Sequence, residues 1–143
     1  MDFGLRNPRW VEILLAQPWV LPVVRIALTS AYWTGGLSKL ANIPGAVAEQ
    51  EHFGLHPGWL WAPVAMLVEI GGSALVISNR LTWLGAGALG VLTAVAMLAA
   101  NNFWALSGHA QFMAFNAFFE HLGLIAGFVA IAILAGGGAR STT

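Results

Sequence analysis

Apolar positions along this chain fall into four long blocks separated by short polar connections. The blocks cover residues 18–40, 57–78, 81–100 and 112–134. Each is long enough to cross roughly 30 Å of hydrocarbon as an α-helix, for which about 20 residues suffice. In lipid a helix satisfies every backbone polar group within its own segment. Inside the blocks the apolar residues follow no single helical stripe, as suits helices whose outer surface meets lipid rather than water. The connections set the topology. Asn79-Arg80 is so short that the second and third blocks form an antiparallel hairpin. Residues 41–56, ANIPGAVAEQEHFGLH, are the longest connection and have room for a short surface helix. Residues 101–111, NNFWALSGHAQ, form the third connection, and Gly136 to Thr143 (GGGARSTT) reads as a flexible end. The pattern predicts an all-α integral membrane protein. It is a single domain over 1–143, folded as an antiparallel bundle of four transmembrane helices.

Composition strengthens this reading. The chain is 58% hydrophobic and 8% charged, with a mean hydropathy of +0.75. A typical soluble domain is about 25% charged, so the expected surroundings are a lipid bilayer. Six Lys and Arg balance six Asp and Glu, which leaves no basic patch for nucleic acid. The lack of cysteine removes disulfides, iron–sulfur clusters and thiol catalysis. Any redox chemistry then resides on a bound group. The first block is too long for a signal-peptide core and reads as a retained span. Arg6, Arg9, Arg80 and Arg140 share one side of a four-span topology, which places both termini in the cytoplasm. Trp10, Trp19, Trp59, Trp61, Trp83 and Trp104 lie near block ends, as an interfacial aromatic belt does. Gly71-Gly72-Ser73, Gly85 to Gly90, Gly123 and Gly127 are small enough for close helix approach.

The chemistry concentrates in four ionisable residues inside the blocks: Arg25, Lys39, Glu69 and Glu120. A charge at mid-bilayer costs roughly 2.5–3.5 kcal/mol on insertion scales, so such residues face the bundle interior and find partners. At 1.5 Å per residue, Arg25 lies about 10 Å and Glu69 about 16 Å from the same membrane face. These depths predict a structural Arg25–Glu69 ion pair, and leave Lys39 to Glu120. Arg25, Tyr32, Gly36 and Lys39 share one helical stripe. Glu69 and Ser73 share another, as do Asn116 and Glu120. The outer half collects Lys39, Asn101, Asn102, His109, Gln111, Asn116, Glu120 and His121. Two readings of that cluster stand side by side. One is a purely structural hydrogen-bond network. The other is an outward-facing pocket for a polar head group or a quinone ring, lined by Lys39, Asn102, Trp104, Asn116, Glu120 and His121, with Glu120 and His121 as a proton relay. A quinone is the cofactor this pocket suits. No metal is expected: Glu120 and His121 are adjacent and point about 100° apart, and no Glu-x-x-His pair recurs on two helices.

Arg25, Gly36-Leu-Ser-Lys39-Leu40, Glu69-Ile-Gly-Gly72, Asn79-Arg80 and Asn116 to Gly127 (NAFFEHLGLIAG) occur in an order and at spacings that resemble the DoxX family of small bacterial membrane proteins. The resemblance implies a four-helix bundle in the bacterial cytoplasmic membrane, and importance for Lys39, Glu69, Arg80 and His121. Named relatives include a subunit of a thiosulfate:quinone oxidoreductase and a membrane partner in an oxidative-stress complex. The expected role is therefore a quinone-binding or anchoring accessory subunit of a membrane redox system, beside a redox-protein partner and with homo-oligomerisation open. Two alternatives stand beside it. A non-catalytic, chaperone-like scaffold is consistent with the lack of any complete catalytic constellation. A small transporter is consistent with buried acids beside histidine, although four unbroken spans suit it less well.

Overall fold

The computed structural model describes residues 7–140, and every described element is helical. The order is α1 (Arg9–Leu15), α2 (Val20–Ala41), α3 (Ile43–His52), α4 (Gly58–Ile77), α5 (Thr82–Ala100) and α6 (Gly108–Arg140), with a 3-10 turn at Phe103–Ala105. Helices α4, α5 and α6 are each long and apolar enough to cross a membrane. Helix α2 carries two cations and joins them as a fourth span when counted with α1, from which it is bent by 68°. The bundle thus has three to four candidate spans. The break falls at 16–19, where Pro18 lacks the N–H needed to continue α1.

The outside of this bundle is more apolar than its inside. Arg25, Thr29, Gln50, Glu69, Ser73, Thr82 and Thr93 are buried, whereas Trp10, Trp59, Leu67, Trp83, Val91 and Ile133 are each more than 60% exposed. Water would reverse that distribution; lipid does not penalise it.

Neighbours pack in the sequence α2–α4–α5–α6, and α3 lies against the start of α4. Asn42 caps α3: its side chain accepts the Gly45 N–H at 3.1 Å, satisfying one orphan donor of the first turn. Ala46 of α3 then packs against Ala62 and Met66 of α4. The α4–α5 hairpin is tight. Asn79 and Leu81 both take positive φ, 57° and 50°, a conformation that asparagine tolerates and leucine rarely adopts. Above the turn the two helices approach at Gly72 and Gly85; a Cβ on Gly85 would lie 2.6 Å from the Gly72 carbonyl oxygen. Helix α2 meets α6 only briefly, with Tyr32 edge-on to Phe128 at 5.4 Å. Those two join Val76, Ala86, Leu89 and Ile131 as the main apolar core.

One local expectation is corrected. The glycine-rich end is helical as far as Arg140; without a proline, glycine weakens a helix rather than ending it. Residues 1–6 and 141–143, including Arg6, lie outside the described residues.

Candidate functional site

Arg25 and Glu69 do not pair. The Arg25 guanidinium donates from one nitrogen to the Val76 carbonyl at 2.9 Å and to Thr82 Oγ1 at 3.3 Å. Thr82 in turn donates to Asn79 Oδ1 at 3.1 Å. Arg25 is therefore a cap supplied by α2 to the last turn of α4, where carbonyls lack intrahelical donors and the helix dipole is negative. Glu69 pairs with Lys39 instead, at 2.9 Å from Nζ to Oε1. The cause is the direction in which helical side chains lean, which is toward the N-terminus of their own helix. The N-terminus of α2 lies at the end of the bundle that holds the α4–α5 turn. Arg25 consequently leans toward Val76 and away from Glu69, which is about 10 Å further along α4. Lys39 leans back one turn, over Gly35, toward Glu69. The pair passes close over Gly35: a Cβ there would be in ordinary van der Waals contact, 3.8 Å from both Lys39 Nζ and Glu69 Oε1.

The expected Lys39–Glu120 pair is likewise replaced. Lys39 Nζ makes its second contact with Glu49 of α3, at 3.5 Å. The ammonium thus ties α2 to both α3 and α4. Its pair with Glu69 is largely sequestered, with the two side chains 13% and 12% exposed. Glu69 Oε1 is satisfied, but Oε2 is buried with no hydrogen-bond partner.

That pair forms one wall of a cavity of about 410 Å³ at the α3 end of the bundle. The other walls come from Tyr32 of α2, Glu49 and Gln50 of α3, Leu92 and Thr93 of α5, and Glu120, His121 and Leu124 of α6. Of the six residues expected to form a pocket, Lys39, Glu120 and His121 line this chamber. Asn102, Trp104 and Asn116 do not. Trp104 is exposed and stacks edge-on with Phe103 and Phe118 in an aromatic cluster. Asn102 caps the 3-10 turn, its carbonyl accepting the Ala105 N–H at 3.0 Å. Asn116 is half-buried on α6, outside the chamber. Gln50, Glu49 and Thr93 are the chamber residues that sequence reasoning missed. A hydroxyl in the middle of an otherwise apolar third block was the available signal for Thr93.

A second space of about 640 Å³ lies beside the chamber, between α4 and α5. This groove is bounded by Trp61, Val64, Val68, Trp83, Leu84 and Val91 and is apolar almost throughout. Gln50, Leu55, Ala65, Leu92 and Val95 are common to both walls. Several groove residues are exposed on the outer face of the bundle, so the groove opens toward lipid. Among the described residues no three His, Asp or Glu side chains are arranged to hold a metal ion.

Comparison with known proteins adds one finding. No curated protein and no solved structure is similar enough to supply a named relative. The DoxX family profile matches residues 20–102, which takes in α2 through α5 and with them Arg25, Lys39, Glu69 and the hairpin turn. The stretch Asn116 to Gly127, with Glu120 and His121, lies beyond the match. Since the matched region is over half of the chain, this multi-pass, all-helical membrane protein belongs to the DoxX family.

Proposed function

We propose that the protein binds a quinone-class amphiphile and serves as the quinone-side accessory subunit of a membrane redox system. The observation that carries this reading is the polar chamber lying directly beside the apolar groove, with five residues common to both walls. A quinone needs hydrogen-bonding groups around its ring and an apolar slot for its tail. Lys39, Gln50, Tyr32 and His121 surround the one space, and Trp61, Leu84 and Val91 bound the other. From Trp83 to Val95 the groove follows α5 for about 18 Å, enough for several carbons of an extended tail. A purely structural network favours charges fully satisfied and no residual volume. The volume left open beside the Lys39–Glu69 pair fits a ligand better than a scaffold.

The test is organic extraction and native mass spectrometry of protein purified gently from its own membranes. The expected result is a stoichiometric quinone that is lost on Lys39→Ala and diminished on Glu120→Gln. A preparation with no small molecule, but with a stoichiometric protein partner, refutes the quinone role in favour of the scaffold.

A further inference from the structure

We infer that the side-chain amide of Gln50 hydrogen-bonds the head of the bound ligand, at the junction of the chamber and the groove. This rests on the quinone reading above and on where the buried polar side chains find their partners. Seven polar or charged residues are buried among the described residues. The side chains of six are hydrogen-bonded within the fold. The seventh is Gln50 of α3, which is 7% exposed. Its backbone carbonyl accepts the Leu55 N–H at 2.9 Å, while its side-chain amide has no partner among the described residues. A buried amide left in that state is costly, and native folds rarely keep one without a use for it.

The amide is not sealed off. Glu69 Oε2 is the unpartnered side-chain atom that lacks accessible surface; the Gln50 amide atoms keep theirs. Gln50 is also one of the five residues common to the walls of the chamber and the groove, so the little surface it retains opens on those two spaces. The other polar groups of the chamber wall are engaged or of the wrong kind. Lys39 faces Glu69 and Glu49. Tyr32 Oη and Thr93 Oγ1 bond each other at 2.5 Å, and His121 Nδ1 lies 2.6 Å from the Ala117 carbonyl. Glu120 is exposed, and an ionised carboxylate only accepts. A quinone carbonyl also only accepts, so it needs a donor. The amide has two N–H groups to offer. A ring held by Gln50 has the chamber on one side and the apolar groove, for its tail, on the other.

The experiment compares the full wild-type chain with Gln50→Met in lipid nanodiscs. Methionine keeps the length of the side chain and removes both hydrogen-bonding groups. The probe is a benzoquinone with a decyl tail and ¹³C-labelled carbonyls. Equilibrium binding is expected to weaken about fivefold in the variant, the value of one neutral hydrogen bond. In infrared difference spectra, one carbonyl band of the bound quinone is expected at lowered frequency in the wild-type protein and back at its unbonded position in Gln50→Met. The ligand-free variant should melt no lower than the wild-type chain, because the fold itself loses no bond. Unchanged affinity, or a carbonyl band that does not move in the variant, overturns the inference and leaves the quinone reading standing. A ligand-free variant that melts lower also overturns it, since the amide then had a partner within the fold. Failure of the wild-type chain to bind the quinone overturns both.

Discussion

Replacing Lys39 by methionine should cost far more stability than the loss of one surface charge. The Lys39–Glu69 contact is 2.9 Å long and both side chains are close to 90% covered. At an effective dielectric constant of about 20, two unit charges at that distance attract by about 6 kcal/mol before desolvation is subtracted. Lys39→Met removes the attraction but leaves Glu69 buried, with both oxygens unpartnered. Removing one member of a buried pair in this way typically costs about 3–5 kcal/mol. Glu69→Met should cost a similar amount, because it strands the ammonium against only the half-exposed Glu49. The double variant strands nothing and should recover much of the loss, giving a coupling of about 2 kcal/mol or more. A parallel cycle on Arg25 and Glu69 should be additive within about 0.5 kcal/mol, because Arg25 binds Val76 and Thr82 rather than Glu69. Reversible unfolding in mixed detergent micelles, followed by circular dichroism, measures all of these variants on one scale. A larger coupling for Arg25–Glu69 than for Lys39–Glu69 would refute the argument from side-chain direction.

Two further predictions concern packing and capping. Gly85→Ala forces a methyl group to within 2.6 Å of the Gly72 carbonyl oxygen and should destabilise by about 1–3 kcal/mol; Gly87→Ala, with nothing within 4 Å of the new carbon, should be neutral or stabilising by up to about 1 kcal/mol. Thermal melts that fail to separate this pair would contradict the close α4–α5 approach. Asn42→Ala removes the α3 cap at a cost of about 1 kcal/mol, and because Glu49 and Gln50 of α3 wall the chamber, faster amide exchange across α3 should accompany weaker ligand binding.

Much of this architecture is legible in the sequence because lipid makes hydropathy decisive. The second block, 57–78, and the third, 81–100, correspond to α4 and α5 within a residue at each end, and a connection of two polar residues permits only a hairpin. Depth along a helix was equally accessible, since the rise per residue is fixed. Direction was not. Arithmetic on Cα positions placed Arg25 and Glu69 about 6 Å apart in depth, within reach of an arginine, but ignored that the side chain leans the other way. Azimuth was lost for the same reason: Asn102, Trp104 and Asn116 lie toward the same end of the bundle as the chamber without lining it. Gln50 gave no signal at all, because a glutamine in a polar connection is unremarkable until α3 folds down over the bundle. The length of α6 was hidden by three consecutive glycines that a helix can accommodate.

The Arg25 cap has a consequence for how the chain is made. Its acceptor, Val76, lies 51 residues later, so at a synthesis rate of about 5–20 residues per second the arginine waits roughly 3–10 s for that carbonyl to exist. For those seconds a guanidinium in hydrocarbon is stabilised only by staying near the headgroups. The cap on α4 can thus form only after the hairpin has been made, although its donor sits two helices earlier in the chain.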